Sequence, residues 1–165
     1  MLKKILKRTF QLLLLAFIVI QFIRPAKNIS EGISNNDISK IYAVPADVQA
    51  ILKTSCYDCH SNNTVYPWYA NIQPAAWWLA DHVKEGKKEL NFSEFASYMI
   101  GRQNRKLEEI NKEVKENEMP LESYLWIHKD SKLSEQQKLT LANWVTTIRD
   151  TIKANYPADS LVRKK

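Results

Sequence analysis

Apolar residues recur at helical spacing in several separate stretches of this chain. Val44, Val48, Ile51 and Leu52 fit one face of a short helix, with Pro45 suited to its first turn. Pro74 can open a second helix carrying Trp77, Trp78, Leu79 and Val83, and Ser93 can cap a third with Phe95, Tyr98 and Met99 on one face. Gly101 is expected to break or bend that third helix. Leu107, Ile110 and Val114 resume the stripe, with Glu and Lys on the other face. This stretch must end near Glu118, because Pro120 disfavours helix at the residue before it. The last helix is the clearest. Ser134 and Gln137 form a capping-box pair, and Leu141, Trp144, Val145, Ile148 and Ile152 follow at i, i+3, i+4, i+7 and i+11. No stretch alternates as a strand would. The pattern predicts an all-α fold: five short helices joined by loops, with an aromatic loop from Asn62 to Gln73.

The N-terminus reads differently. Lys3, Lys4, Lys7 and Arg8 precede an apolar run from Phe10 to Ile23 interrupted only by Gln11 and Gln21. A basic front followed by an apolar run is how export signals read. The run ends in the bulky Phe22-Ile23-Arg24-Pro25, without a small-residue cleavage site, which favours an uncleaved transmembrane anchor over a removed signal peptide. It is short against the roughly 20 residues that cross a bilayer; Leu2, Ile5 and Leu6 can extend it while the lysines snorkel. The basic flank places the N-terminus in the cytoplasm and the rest in the periplasm. The expected organisation is residues 1–27 as anchor, 28–41 as a polar linker, and 42–165 as one domain.

Charge changes the picture once this segment is set aside. Residues 1–27 hold six of the 24 basic residues and no acidic one, so the remainder balances 18 basic against 18 acidic residues. A nucleic-acid binder carries its basic excess on the folded domain, so that class is excluded. Three glycines in 165 residues suit helices better than a barrel or sandwich.

The candidate chemistry lies in Cys56-Tyr57-Asp58-Cys59-His60, which holds both cysteines of the chain. Two thiols one helical turn apart can bond two vinyl groups on one edge of a porphyrin. The next residue, histidine, can then offer its imidazole to the iron. C-x-x-C-H is the attachment sequence for c-type haem, and attachment outside the cytoplasm agrees with the expected export. The rivals are a thioredoxin-like redox pair, which needs a βαβ frame; a structural zinc site, which needs more ligands than His82 or His128 readily supply; and a plain disulfide.

A second axial ligand is then expected. Met119, in Asn117-Glu118-Met119-Pro120, sits on a loop where a thioether has little reason to be core filler, and is preferred. Met99 reads as core packing. His82 reads as surface or supporting, while His128 and a vacant position stay open. Tyr66 and Trp68, soon after His60, are expected at the haem edge. The five tryptophans otherwise read mostly as core.

With these residues in view, the chain resembles the small haem-binding domain proteins, a family of membrane-anchored c-type cytochrome proteins. The resemblance rests on Gln21-Phe22-Ile23-Arg24-Pro25, SCYDCHSNNTVYPWY (Ser55 to Tyr69), IQPAAWWLADHVKEGKKELNFSEF (Ile72 to Phe95) and EMPLESYLWIH (Glu118 to His128). It implies haem c at Cys56, Cys59 and His60, and matches the Met-Pro element at Met119. The expected function is one-electron transfer by a single-haem, cytochrome c-like domain at the outer face of the cytoplasmic membrane, with redox protein partners. A haem-based gas or redox sensor and a peroxidase are the alternatives; no separate catalytic constellation is visible, so an enzyme is not expected.

Overall fold

Helix accounts for every regular element in the computed structural model, which describes residues 1–162. The α-helices are α1 (Leu2–Ile20), α2 (Ala46–Ser55), α3 (Tyr57–His60), α4 (Ala75–Glu89), α5 (Ile100–Lys115), α6 (Glu122–Leu125) and α7 (Glu135–Asn155). Short 3-10 turns join several of them, and no strand occurs among the described residues. The all-α expectation is met.

α7 forms where the pattern placed it. Gln137 N–H donates to Ser134 Oγ at 3.2 Å and Ser134 N–H to Gln137 Oε1 at 2.8 Å, closing the capping box. Its stripe of Leu141, Trp144, Val145, Ile148 and Ile152 is buried. It meets Leu107 and Val114 of α5, Val48, Ile51 and Leu52 of α2, and Phe92 and Phe95 from the 3-10 turn Phe92–Ser97. Fully burying such a side chain stabilises by roughly 1.5–3 kcal/mol. A ten-residue helix such as α2 is marginal alone. The core therefore fixes its last turn, which runs directly into Cys56.

α5 ends earlier than expected, at Lys115. Asn117 takes a left-handed φ of 62°, which asparagine tolerates better than most side chains. Glu118 N–H then reaches back to Glu113 O at 2.9 Å and Asn117 N–H to Val114 O at 3.3 Å, the pairing of a Schellman end. Lys138 of α7 donates to Asn117 Oδ1 at 2.6 Å. The chain leaving α5 toward Met119 is held by these bonds.

Several expectations are corrected. Met99 is not core: it caps α5 and is 83% exposed. The cap before it is Asn91, not Ser93, and it starts the 3-10 turn. Gly101 does not bend a helix. It lies in the first turn of α5, where an added Cβ would sit 2.8 Å from Ser160 O, so it admits the C-terminal turn Ala158–Leu161. Of the five tryptophans only Trp144 belongs to the core; the others reach the surface. Residues 28–41 carry no apolar periodicity, yet they are built into the domain by hydrogen bonds. Asn28 Nδ2 donates to Ser61 O and Thr64 Oγ1, Ser34 and Asn36 donate to the Glu94 carboxylate, and Ile38 is fully buried.

The expected spanning helix is not found: no helix among the described residues is long and apolar enough to cross a membrane. The cause is compositional. Lys3, Lys4, Lys7 and Arg8 fall inside the first two turns of α1, leaving too short an apolar remainder.

Candidate functional site

Cys56, Cys59 and His60 sit on one turn of chain. α2 stops at Cys56, and α3 starts at once, with Cys59 and His60 N–H groups donating to Cys56 O at 3.2 and 2.9 Å. The one-turn spacing puts both sulfurs and the imidazole beside the same cavity. Neither cysteine is in a disulfide.

The imidazole is locked. His60 Nδ1 lies 2.9 Å from Gly86 O and 3.0 Å from Leu90 O, at the end of α4. Carbonyls only accept, so Nδ1 carries the proton and Nε2 keeps its lone pair free. Burial pushes the imidazole below its ordinary range and outweighs the bonds to Leu90 and Gly86, which favour the charged ring. The ring is thus neutral at pH 7, the state a metal ligand requires.

Gly86 makes this approach possible. An added Cβ there would lie 2.8 Å from Cys59 O and 3.1 Å from Cys59 Cβ. Alanine is worth about 1 kcal/mol over glycine in an open helix, whereas overpacking against fixed backbone costs typically 1–3 kcal/mol. Gly86→Ala is therefore expected to lower the chemical denaturation midpoint despite its better helix propensity. A raised midpoint would show that α3 and α4 are not tightly apposed.

The cavity holds about 290 Å³. α3 and α4 contribute Cys56, Asp58, Cys59, His60, Asp81, His82, Glu85, Gly86 and Glu89; the chain after α5 contributes Met119, Pro120, Leu121 and Tyr124. It reaches the surface at Asp81, Glu85, Glu89 and Leu121, which are exposed. Tyr124 donates its O–H to Asp58 Oδ2 at 2.8 Å, and Asp58 Oδ1 accepts Val65 N–H at 2.9 Å. A residue within the C-x-x-C loop thereby holds the segment that follows Met119.

The structure separates the other candidates. His128 does not line the cavity: its ring stacks on Tyr124 at 4.2 Å, and Nε2 is 2.8 Å from Tyr69 Oη. His82 does line it; its Nδ1 donates to Trp78 O at 2.8 Å, leaving Nε2 free. Tyr66 and Trp68 lie elsewhere, against expectation. Tyr66 Oη accepts Asn28 N–H at 2.6 Å beneath the Lys27 ammonium, and Trp68 is 76% exposed, edge-on to Tyr69. Asn28 draws this loop toward the anchor instead of the cavity. The sequence reading missed Gly86 and Leu90, whose backbone carbonyls orient His60. A lone glycine inside a helix, which commonly marks a packing need, was the available signal.

Burial pushes Cys56 up to about 12, with Cys59 beside it adding to the shift, and Cys59 up to about 11, with Asp58 adding. A thiol-exchange site works through a stabilised thiolate, and these thiols are the reverse. No group of three or more His, Cys, Asp or Glu side chains among the described residues is arranged to hold a metal ion.

Comparison with known proteins gives one match. A family model described as a haem-binding domain matches residues 15–147. No curated protein and no solved structure matches the chain.

Proposed function

This chain belongs to the haem-binding domain family, and from that premise we propose that it holds one haem c through thioether bonds from Cys56 and Cys59 and carries single electrons. The observation that carries this reading is His60: a half-buried, neutral imidazole with Nδ1 bound to two carbonyls and Nε2 free, beside both thiols and Met119 in one cavity. That donor set fits a haem that two thiols could attach, with an imidazole and a thioether available to its iron. Bound there, the haem supplies a one-electron ferric/ferrous couple.

The chain's own residues do the rest. His60 would hold the iron through Nε2, its orientation set by Gly86 and Leu90. Met119 would offer its thioether as the second ligand, its backbone placed by the end of α5 and its following segment held by Tyr124 on Asp58. Pro120 and Leu121 supply apolar lining beside Met119. If His60 and Met119 both bound the iron, no position would be left open for a peroxidase, and the reading is a carrier.

Membrane attachment belongs to the same proposal. No residue of α1 is buried, so its apolar surface is uncovered by the domain. With its first two turns at the headgroups, α1 holds the domain at the outer face of the cytoplasmic membrane, where redox partners lie. The test is full-length chain matured in a host that exports and attaches haem. It should sediment with membranes, keep its chromophore under denaturing conditions, and show one reversible one-electron couple. Zinc without iron, or a chromophore that leaves on denaturation, overturns haem c; a soluble chain beginning near Asn28 overturns the attachment alone.

A further inference from the structure

The end of α1 is bonded into the domain, not merely tethered to it. Gln21 Nε2 donates to Gln73 O at 3.2 Å, and Gln73 N–H donates back to Gln21 Oε1 at 2.9 Å. Gln73 Nε2 and Trp77 Nε1 both donate to Ile23 O, at 3.0 and 2.8 Å. Gln73 is almost wholly buried, so this junction is a built contact. Residues 24–27 then run beside Ala70, Gln73, Ala76 and Ala80.

Around this junction the domain exposes apolar side chains that its core does not need. Phe22 is 84% exposed, and Ile23, Trp68, Ile72, Trp77 and Trp78 also reach the surface. The turn Trp68–Asn71 packs on α4, whose first turn carries Trp77 and Trp78. Arg24 and Lys27 flank the patch. Trp77 has its N–H bonded and its ring partly uncovered; exposed indoles beside basic side chains are the composition of a bilayer interface.

We propose that this face, Trp68, Ile72, Trp77 and Trp78 together with Phe22 and Ile23, lies in the headgroup region of the bilayer. The inference rests on α1 being membrane-inserted. If α1 is in lipid, the level at which it leaves is fixed near Gln21 to Ile23, and groups bonded to those residues share that level. A protein partner could not occupy the face without displacing the lipid around α1. The face also answers a deficit of α1, whose apolar length is short: indoles seated at the interface add the membrane affinity that a truncated run lacks. The Trp78 ring lies tilted against His82 at 4.1 Å, and His82 lines the cavity. The cavity is thereby held close above the bilayer, not at the end of a loose tether.

The experiment uses full-length, haem-loaded chain in vesicles of phosphatidylcholine and phosphatidylglycerol doped with a lipid bearing a photoactivatable diazirine near its headgroup. After irradiation and proteolysis, mass spectrometry maps the lipid adducts. Adducts are expected on residues 22–23 and 68–78, with Trp126 and Ile127 unlabelled, and with loss of the 68–78 adducts when detergent replaces the vesicles. Adducts confined to α1 while the chain still floats with the vesicles would overturn the proposal and leave the attachment standing. Crosslinking of two chains through residues 68–78 would assign the face to a second copy and overturn it equally. A chain that fails to float overturns the attachment and this inference together.

Discussion

The double variant Cys56→Ala, Cys59→Ala is expected to be recovered with no covalently attached haem. Intact mass under denaturing conditions should equal the polypeptide alone, where the wild type carries one haem. Each single variant should lose at least part of its attachment, because one thioether remains available. The protein should still fold. Both sulfurs border a cavity instead of filling the centre of the core, and the residues that fix α2 and α7, such as Leu52 and Val145, are untouched. A denatured double variant that kept its chromophore would mean that attachment runs through other groups, and the proposal would fail.

The second large effect belongs to Met119. Met119→Ala should leave haem attached, since the thioethers are unchanged. It should abolish the weak red charge-transfer band of ferric Met–iron ligation and let carbon monoxide bind the reduced protein quickly. The potential should fall by on the order of 0.1 V, a fraction of the roughly 0.8 V over which axial ligands set haem potentials, because a thioether favours ferrous iron. His128→Ala should change none of these, being stacked on Tyr124 and bonded to Tyr69. Met99→Ala should be nearly silent. Its sequence reading as core would imply about 2–5 kcal/mol, but at 83% exposure a change within about 0.5 kcal/mol is expected. Persistence of the band in Met119→Ala would move the distal role to another residue, His82 first, since its free Nε2 shares the cavity.

What the sequence made legible was whatever depends on chain-local spacing. The one-turn grouping of Cys56, Cys59 and His60, the capping box at Ser134, and the buried stripe of α7 all follow from positions a few residues apart. Met119 was legible by elimination and by Pro120 beside it, and the structure does bring it to the cavity. What was not legible depends on long-range polar contacts. Tyr66 and Trp68 follow His60 closely, which suggested the haem edge. Asn28 bonds both Tyr66 and Thr64, and it belongs to a stretch with no periodicity to advertise its place. Residues 28–41 read as a linker for the same lack of periodicity, while Asn28, Ser34 and Asn36 bond to the domain. The carbonyls of Gly86 and Leu90 were invisible for a simpler reason: a backbone oxygen has no letter of its own.

Those two carbonyls bear on α4 as much as on His60. A helix leaves its last carbonyls without partners, and they gather partial negative charge, about half an electron, at its carboxyl end. Here the imidazole N–H from another element reaches Leu90 O and shares Gly86 O with Leu90 N–H. His60 is thus the terminator of a helix to which it does not belong. The exchange runs both ways. α4 gains a donor for an orphan oxygen, and the imidazole gains electron density from a negative pole, which makes its Nε2 a stronger donor to a metal. If His60 holds the iron, part of its tuning comes from the backbone dipoles of the fifteen-residue α4.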